Sequence, residues 1–298
     1  MLQTAELLKK VRKLEIITSR MVDDVISGAY RSVFKGRGIE FDEVREYTLE
    51  DDVRDIDWNV SARLNAPYVK KYIEERELSV LLMVDVSSSM HFGAPGSKIS
   101  ERAVEVAALL GLSAIGNHDR VGLSLFSGQV DKFLPPRGGR HNNLRLIREL
   151  VSASEAPLQP HTNIAQALRN ACRVLVKRSV IFVISDLLDH SAELATALKL
   201  ASRRHDVIVL HLFEDAAAML PSGVKQLYDA ENGRFIRLTN HERREFSAVV
   251  QQQLARQQEL CRRCGAELLA MPCQADIPGT LMKFFRQRSC RRSSRINR

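Results

Sequence analysis

Short apolar runs alternate with longer amphipathic stretches along the chain from about residue 78 onward. The runs "SVLLMVD" (79–85), "SVIFVIS" (179–185) and "DVIVLHLF" (206–213) are apolar at nearly every position, as in strands buried on both faces. Apolar residues at helical spacing predict helices near 97–116, 140–152, 163–176 and 191–204. This alternation predicts an α/β fold, a doubly wound and mostly parallel sheet flanked by helices.

Further elements fill in the pattern between and after these runs. Strands are predicted near 120–126 and 129–134, joined as a hairpin, and Asn232-Gly233 predicts a second hairpin within 226–238. A long helix over about 240–264, a strand near 266–271 and a short helix at 279–287 complete the prediction.

The N-terminal part of the chain has a different character. Residues 4–27 predict a helix, and residues 31–77 are polar and turn-rich, which indicates short strands and loops, with a strand near 68–74. Trp58 is the only tryptophan, and we expect it to pack on the core beside a hydrogen-bonded network of Arg54, Arg63 and the neighbouring acids, with a partner-binding role as the alternative. We therefore predict an N-terminal extension (1–77), a main domain (78–287) and a basic C-terminal tail (288–298).

Composition narrows the class of protein. The longest purely apolar runs have five residues, whereas a membrane-spanning helix needs about 20, so no membrane span is predicted. The first residues lack the apolar region and cleavage site of a signal peptide, and the five cysteines are an odd number, which favours free thiols. Together these observations predict a cytoplasmic protein.

Most of the formal net charge of +8 comes from the end of the chain. From Lys283 onward there are seven basic residues and no acid, and we expect this segment to be a solvated, partly disordered terminus. The alternative is that these arginines bind nucleic acid or anionic lipid, whereas the near-neutral remainder of the chain is not expected to form a basic binding surface.

Candidate chemistry lies where the first buried strand ends. Asp85, Ser87 and Ser89 follow a D-x-S-x-S spacing and offer only oxygen donors, which suit hard cations such as Mg²⁺, Mn²⁺ or Ca²⁺. Thr162 begins a predicted helix and Asp186 follows the second buried strand. Because ligands of doubly wound sheets bind at the carboxyl ends of strands, these five residues form the predicted metal site.

The three motifs "DVSSS", "TNIAQAL" and "ISD" resemble the metal-ion-dependent adhesion site of von Willebrand factor A domains, in the same order and with similar spacing. The resemblance implies that the serines and Thr162 bind the ion directly or through water, and that Asp85 and Asp186 act mainly through water. It also implies that a carboxylate of a partner protein fills the open position on the ion.

A second resemblance lies upstream, in G-x-G-x-E-F, D-D-x-R-x-I-D-W, S-A-R and E-E-R-E. With the later motifs these cover most of residues 30–215 and are similar to domain-of-unknown-function family fifty-eight, prokaryotic proteins with a von Willebrand A core. The resemblance implies a MoxR-type AAA+ ATPase as partner and a chaperone-like or metal-insertion role. The chain differs from some relatives in lacking membrane helices, and it has His161 where many A domains have glycine.

Other assignments are weaker. A metal-dependent hydrolase would need a general base, for which Asp189 is the sequence-near candidate, but no known catalytic motif is present. "GAPGSK" (93–98) does not meet the phosphate-loop pattern, and "CRRC" (261–264) with Cys273 lacks a clear fourth zinc ligand. We therefore expect a non-enzymatic binding module.

Overall fold

The computed structural model describes residues 30, 33, 40–48, 51–64, 66–73, 77–92, 98–156, 159, 161–189, 191–214, 226–229, 234–237 and 240–296. The predicted helix over 4–27 and the first five residues of "GAPGSK" lie outside this part of the chain.

Ten strands occur in the described part of the chain. They are β1 (Glu40–Glu46), β2 (Tyr68–Ile73), β3 (Ser79–Asp85), β4 (Arg120–Phe126), β5 (Val130–Arg137), β6 (Val180–Ser185), β7 (Asp206–Phe213), β8 (Gln226–Asp229), β9 (Arg234–Arg237) and β10 (Glu267–Pro272).

The α-helices in the same residues are α1 (Trp58–Leu64), α2 (Ile99–Gly116), α3 (Arg140–Ser154), α4 (Ile164–Val174), α5 (Leu194–Arg204), α6 (Asn240–Cys264) and α7 (Ile277–Ile296). Two 3₁₀ helices, Val53–Asp55 and Ser88–His91, lie in loops.

The central sheet has six strands in the order β10-β7-β6-β3-β4-β5. Every neighbouring pair is parallel except β4 and β5, which form an antiparallel hairpin at one edge. The chain winds outward from β3 in both directions, so the predicted doubly wound, mostly parallel α/β fold is confirmed.

Each face of this sheet has its own hydrophobic core, because the side chains of a strand alternate between faces. One core joins Val80, Leu82 and Val84 of β3 with apolar residues of α2, α3 and α7. The other joins Leu81 and Met83 of β3 with residues of α4, α5 and the end of α6. The helices packed on the two faces of the sheet therefore hold the ends of the strands in position.

The N-terminal extension has one small sheet, β1 paired antiparallel with β2. Helix α1 is held against β2 by the Ser61 hydroxyl, which accepts a hydrogen bond from the Tyr68 N–H at 2.8 Å. The predicted short strands and loops are thus present. Tyr30 and Val33, which precede this small sheet, belong to the core of the main sheet, and Tyr30 packs edge-on against Phe285 of α7. The division at residue 77 stays a prediction.

The expectation that Trp58 packs on the core is wrong, since 68% of the residue is exposed. Trp58 is the first residue of a seven-residue helix in which only Ser61 is buried, so the helix is too short to present an apolar stripe. The arginine network also differs: Arg45 pairs with Asp51 at 2.5 Å, and Asp51 accepts from the Thr48 N–H and hydroxyl.

The last helix extends beyond its predicted end at residue 287 and reaches Ile296. Arg288 is only 3% exposed in its side chain and lies between Asp206 and Glu267, the first residues of β7 and β10. The segment predicted as a solvated tail therefore begins inside α7. Asp206 of β7 and Glu267 of β10 hold this helix in place. Among the described residues no helix is long and apolar enough to cross a membrane.

Candidate functional site at the carboxyl edge of the sheet

The candidate site lies where β3 and β6 end side by side. The connection after β3 leads to α2 on one face of the sheet, and the connection after β6 leads to α5 on the other. Such a switch point leaves a crevice at the carboxyl ends of the two strands. Asp85 is the last residue of β3, and Asp186 follows the last residue of β6.

Ser87 is the centre of a cluster of hydroxyl groups in this crevice. Its Oγ lies 3.1 Å from Ser89 Oγ and accepts a hydrogen bond from Thr162 Oγ1 at 2.8 Å. Its N–H donates to Asp85 Oδ1 at 2.9 Å. The structure therefore brings four of the five predicted site residues, Asp85, Ser87, Ser89 and Thr162, into direct contact from two separate stretches of the chain.

The carboxylate of Asp85 is almost completely buried, with 1% of the residue exposed. Burial raises the pKa of Asp85 to about 7, the nearby charge of Asp186 adds to this rise, and hydrogen bonds from Ser185 and Ser87 oppose it. Asp186, the fifth predicted residue, directly follows Ser185, whose hydroxyl contacts Asp85, so it lies beside the cluster. Two acids thus share one buried crevice.

Ser185 is a site residue that the sequence interpretation did not single out. Its hydroxyl donates to Asp85 Oδ2 at 2.7 Å and accepts from the Leu187 N–H at 3.0 Å, so it ties β3 to the loop after β6. It lies within the "ISD" motif, directly before Asp186, so the signal was present in the sequence.

The backbone around Asp186 is tightly constrained. Leu187 has a φ of 56°, a left-handed value that is unusual for a bulky residue, and the Leu188 N–H donates to Asp186 Oδ1 at 3.2 Å. The backbone of Asp186 also accepts a hydrogen bond from His211 of β7, whose pKa burial lowers to about 4. His211 is therefore neutral, and it fixes the loop without adding positive charge.

The loop that contains Thr162 is pinned on both sides. The Ser88 N–H donates to the Gln159 carbonyl and the Asn163 N–H donates to the Ser127 carbonyl, each at 2.8 Å. Between these anchors His161 has a φ of 66° and an exposed side chain. A left-handed backbone favours glycine, so glycine at this position would need no change of loop shape.

Asp189 has a structural role that conflicts with its use as a general base. Its Oδ2 accepts from the N–H groups of Ile164 and Ala165 at 2.7 and 3.3 Å, and its Oδ1 accepts from the Ser191 N–H at 2.7 Å. These bonds cap the start of α4, the helix that follows Thr162. Both oxygens are thereby occupied by the backbone.

The cysteines of "CRRC" are in the core. Cys261 and Cys264 are buried at the end of α6 against α4 and α5, and Cys264 donates to the Ala195 carbonyl. Burial raises the pKa of Cys261 to about 12, which keeps its thiol protonated. Within the described ranges no group of three or more His, Cys, Asp or Glu side chains is arranged to hold a metal. A metal in the crevice would therefore depend on hydroxyl oxygens.

Solved structures similar to this chain include an aerotolerance-related membrane protein of Bacteroides fragilis, 22% identical with a TM-score of 0.48 over 72% of this chain and 99% of that one. The conserved hypothetical protein BatB of Bacteroides thetaiotaomicron is 21% identical with a TM-score of 0.48, over 71% of this chain and 98% of that one. The SpRpn10 VWA domain is 12% identical with a TM-score of 0.41, over 70% of this chain and 95% of that one.

Among curated proteins, an uncharacterised protein of Mycobacterium tuberculosis strain H37Rv is 29% identical over 281 residues, which cover 93% of this chain and 88% of that protein. The family described as "Protein of unknown function DUF58" matches residues 43–259, which include all five predicted site residues. This match spans well over half of the chain and confirms the second resemblance seen in the sequence. The chain belongs to the DUF58 family.

Proposed function

We propose that this DUF58 protein is a non-enzymatic protein-binding module whose carboxyl-edge site holds one divalent cation, Mg²⁺ or alternatively Mn²⁺ or Ca²⁺. Ser87, Ser89 and Thr162 would bind the ion directly or through water. Asp85 and Asp186 would hold its water shell. The observation that supports this most is that the hydroxyls of Ser89 and Thr162 both lie next to the hydroxyl of Ser87, beside the buried carboxylate of Asp85.

The spacing of the hydroxyl oxygens fits the coordination shell of a small cation. Two ligands at right angles, each about 2.1 Å from Mg²⁺, lie about 3 Å apart. The Ser87–Ser89 and Ser87–Thr162 oxygen distances are 3.1 and 2.8 Å. Hydrogen bonding among the hydroxyls alone would give similar spacings, so the charge of the site supplies the second argument.

That charge is negative and poorly neutralised. Asp85 is buried, and in the part of the chain that the structure describes no Lys, Arg or His side chain forms an ion pair with it. A buried carboxylate without a counter-charge is unfavourable, which the pKa of about 7 reflects. A divalent cation would stabilise the ionised form.

A metal held mainly by neutral hydroxyls keeps most of its positive charge and has an unfilled position. A carboxylate is the ligand that such a hard cation prefers. We propose that a partner protein supplies this carboxylate. The family resemblance adds a MoxR-type AAA+ ATPase as partner, with a chaperone-like role in the assembly or maturation of other proteins, in the cytoplasm.

Calorimetric titration with Mn²⁺ and Mg²⁺ tests the metal site. We expect one site in the wild type and a loss of affinity of about 10–100-fold in Asp85→Ala. Asp131→Ala, which removes an exposed carboxylate from β5, is the matched control and should bind as the wild type does. Equal affinity in Asp85→Ala and the wild type would contradict the proposal.

A separate experiment tests the partner. The wild type and Asp85→Ala are immobilised and mixed with the MoxR-type AAA+ ATPase of the same organism, with Mg²⁺ or with EDTA. Retention of the ATPase by the wild type in Mg²⁺ alone is the expected result. If the metal binds as proposed but the ATPase is retained equally with EDTA, the proposal of a metal site still holds. The ATPase must then bind at another surface of the protein.

A further inference from the structure

The opposite edge of the same sheet has a surface of different character, which we call the amino-edge patch. It combines the end of α4 and the loop before β6 with the last two turns of α5 before β7. Its members are Arg173, Val174, Val176, Lys177, Arg178, Lys199, Leu200, Arg203 and Arg204.

All nine side chains are exposed. Six are cations, and among the residues that the structure describes none of the six forms an ion pair within 4 Å. The other three are aliphatic, and Val176 is 89% exposed. The patch therefore presents unneutralised positive charge together with apolar groups.

Contacts between the two segments make the patch continuous. Arg204 Nη1 donates to the Cys172 carbonyl at 2.9 Å, which brings the end of α5 to the last turn of α4. The Ser179 N–H donates to His205 Nδ1 at 3.3 Å, which brings the loop after Arg178 to the same place. Leu200 lies one turn before Arg204 and so shares its face of α5.

Contributions to fold stability explain the presence of only some of the residues in the amino-edge patch. Arg173, Arg203 and Arg204 lie in the last turns of two helices, where cations interact favourably with the helix dipole. Lys177 and Arg178 lie beyond the helix end, where that interaction has faded. A single exposed aliphatic residue needs no explanation, but three of them among six cations form a surface with one consistent chemistry.

We infer that the amino-edge patch binds an anionic membrane surface. The cations contact lipid headgroups, while Val174, Val176 and Leu200 enter the boundary between headgroups and acyl chains. A nucleic acid fits less well, because neither segment offers an aromatic side chain for stacking on bases. The charges explain attraction to the surface, and the aliphatic residues explain why lipid is favoured over other polyanions.

Binding through the amino-edge patch would orient the protein relative to the membrane surface. Strand β6 has six residues, so its two ends lie about 17 Å apart. Docking through the amino edge leaves the carboxyl-edge site facing away from the bilayer and open to a partner. The inference does not depend on the proposed metal site, because none of the patch residues contributes to that site.

Flotation of the full chain with vesicles tests the inference. We use phosphatidylcholine vesicles with and without 30% phosphatidylglycerol at about 0.15 M salt. We expect the wild type to float only with the anionic vesicles. The triple variant Lys177→Glu, Arg178→Glu, Arg203→Glu should lose at least tenfold in apparent affinity.

A matched triple variant controls for net charge. Arg137→Glu, Arg140→Glu and Arg145→Glu change the same number of exposed charges on β5 and α3, and should reduce binding by less than threefold. Val176→Ser keeps every charge and should weaken binding about three- to fivefold by removing the inserted side chain. Circular dichroism melting confirms that each variant is folded.

Three results would overturn the inference. One is wild-type binding to anionic vesicles that the patch variant retains. Another is an equal loss in the two triple variants, which would indicate a response to net charge alone. The third is that the wild type does not bind vesicles but binds DNA or an acidic protein through the same residues. This result would assign the patch to that class of partner.

Discussion

The two edges of the central sheet place polar residues in opposite ways. At the carboxyl edge Asp85, Ser87 and Ser89 are buried, and they are contacted by Thr162 before α4 and by Ser185 at the end of β6. At the amino edge Lys177, Arg178 and the other cations of the patch are exposed. A site for a small ion needs buried, converging donors, whereas a surface for a large partner needs exposed groups spread over an area.

The amino edge also has a buried cation, Arg288, whose role is structural. Arg288 is enclosed by Asp206 and Glu267, and its hydrogen bonds join α7 to two strands. The protein itself supplies the opposite charges there. At the carboxyl edge Asp85 is buried beside a second acid, and among the described residues no Lys, Arg or His forms an ion pair with Asp85, which is the reason to assign that edge a ligand.

The largest expected effect is on stability, from the Arg288→Ala substitution. It leaves Asp206 and Glu267 without their buried cation, and removing one partner of such an arrangement costs about 3–5 kcal/mol. Urea denaturation measures the loss. Arg286→Ala, an exposed arginine half a turn away on the same helix, is the control and should change stability by less than about 0.5 kcal/mol. Equal effects of the two substitutions would show that the buried ion pairs do not anchor α7.

The second prediction concerns pH and the buried acid. The pKa of Asp85 is higher in the folded state, at about 7, than in the unfolded chain, so its contribution to stability is full below about pH 4 and is lost as pH rises to about 7. In EDTA the wild type should therefore lose at most about 4 kcal/mol relative to Asp85→Asn over this window. Urea denaturation at pH 4, 5.5 and 7.5 gives the comparison.

Mg²⁺ is the internal control for this prediction. At pH 7.5 it should restore the stability of the wild type and leave Asp85→Asn nearly unchanged, because a cation stabilises the ionised carboxylate. Parallel pH profiles for the two proteins would mean that Asp85 has no unfavourable charge for a metal to neutralise.

A third and smaller effect distinguishes the binding module from a hydrolase. Asp189→Ala removes the acceptor of three backbone N–H groups at the start of α4 and should cost about 2 kcal/mol. Because the residue acts on the helix that follows Thr162, metal affinity should fall less than tenfold. Phosphatase or nuclease turnover in the wild type that Asp189→Ala abolishes would instead favour the enzyme assignment.

The smallest expected effect comes from His161→Gly. Glycine relieves the left-handed backbone strain of about 1 kcal/mol but raises the entropy of the unfolded chain, so stability should change by less than about 1 kcal/mol. Removing the imidazole beside Thr162 should leave metal affinity equal or slightly higher, as calorimetry would show. A large loss of metal binding would mean that the imidazole itself takes part in the site.

The sequence predicted the carboxyl edge well because its signals are local. Strands buried on both faces appear as apolar runs, so β3 and β7 have the predicted bounds and β6 begins one residue later. The site residues follow such runs or, in the case of Thr162, precede a helix, and the topology brings those positions together. Ser185 was overlooked only because its partner, Asp85, is one hundred residues away.

The features that were missed depend on contacts between distant segments. The basic residues after Lys283 resemble a tail, and nothing in their own sequence indicates that Asp206 and Glu267 bury Arg288. An exposed Trp58 cannot be inferred from its residue type, because burial depends on what packs over α1. The amino-edge patch combines two helix ends that are each ordinary alone.

The most direct test of the metal site is its location in a crystal grown with Mn²⁺. We expect one anomalous scattering peak at the switch point, within about 2.6 Å of Ser87 Oγ and Ser89 Oγ or joined to them by water. The peak should be missing from Asp85→Ala crystals grown in the same way. A wild-type crystal with no peak in the crevice, or with Mn²⁺ only elsewhere, would contradict the central claim.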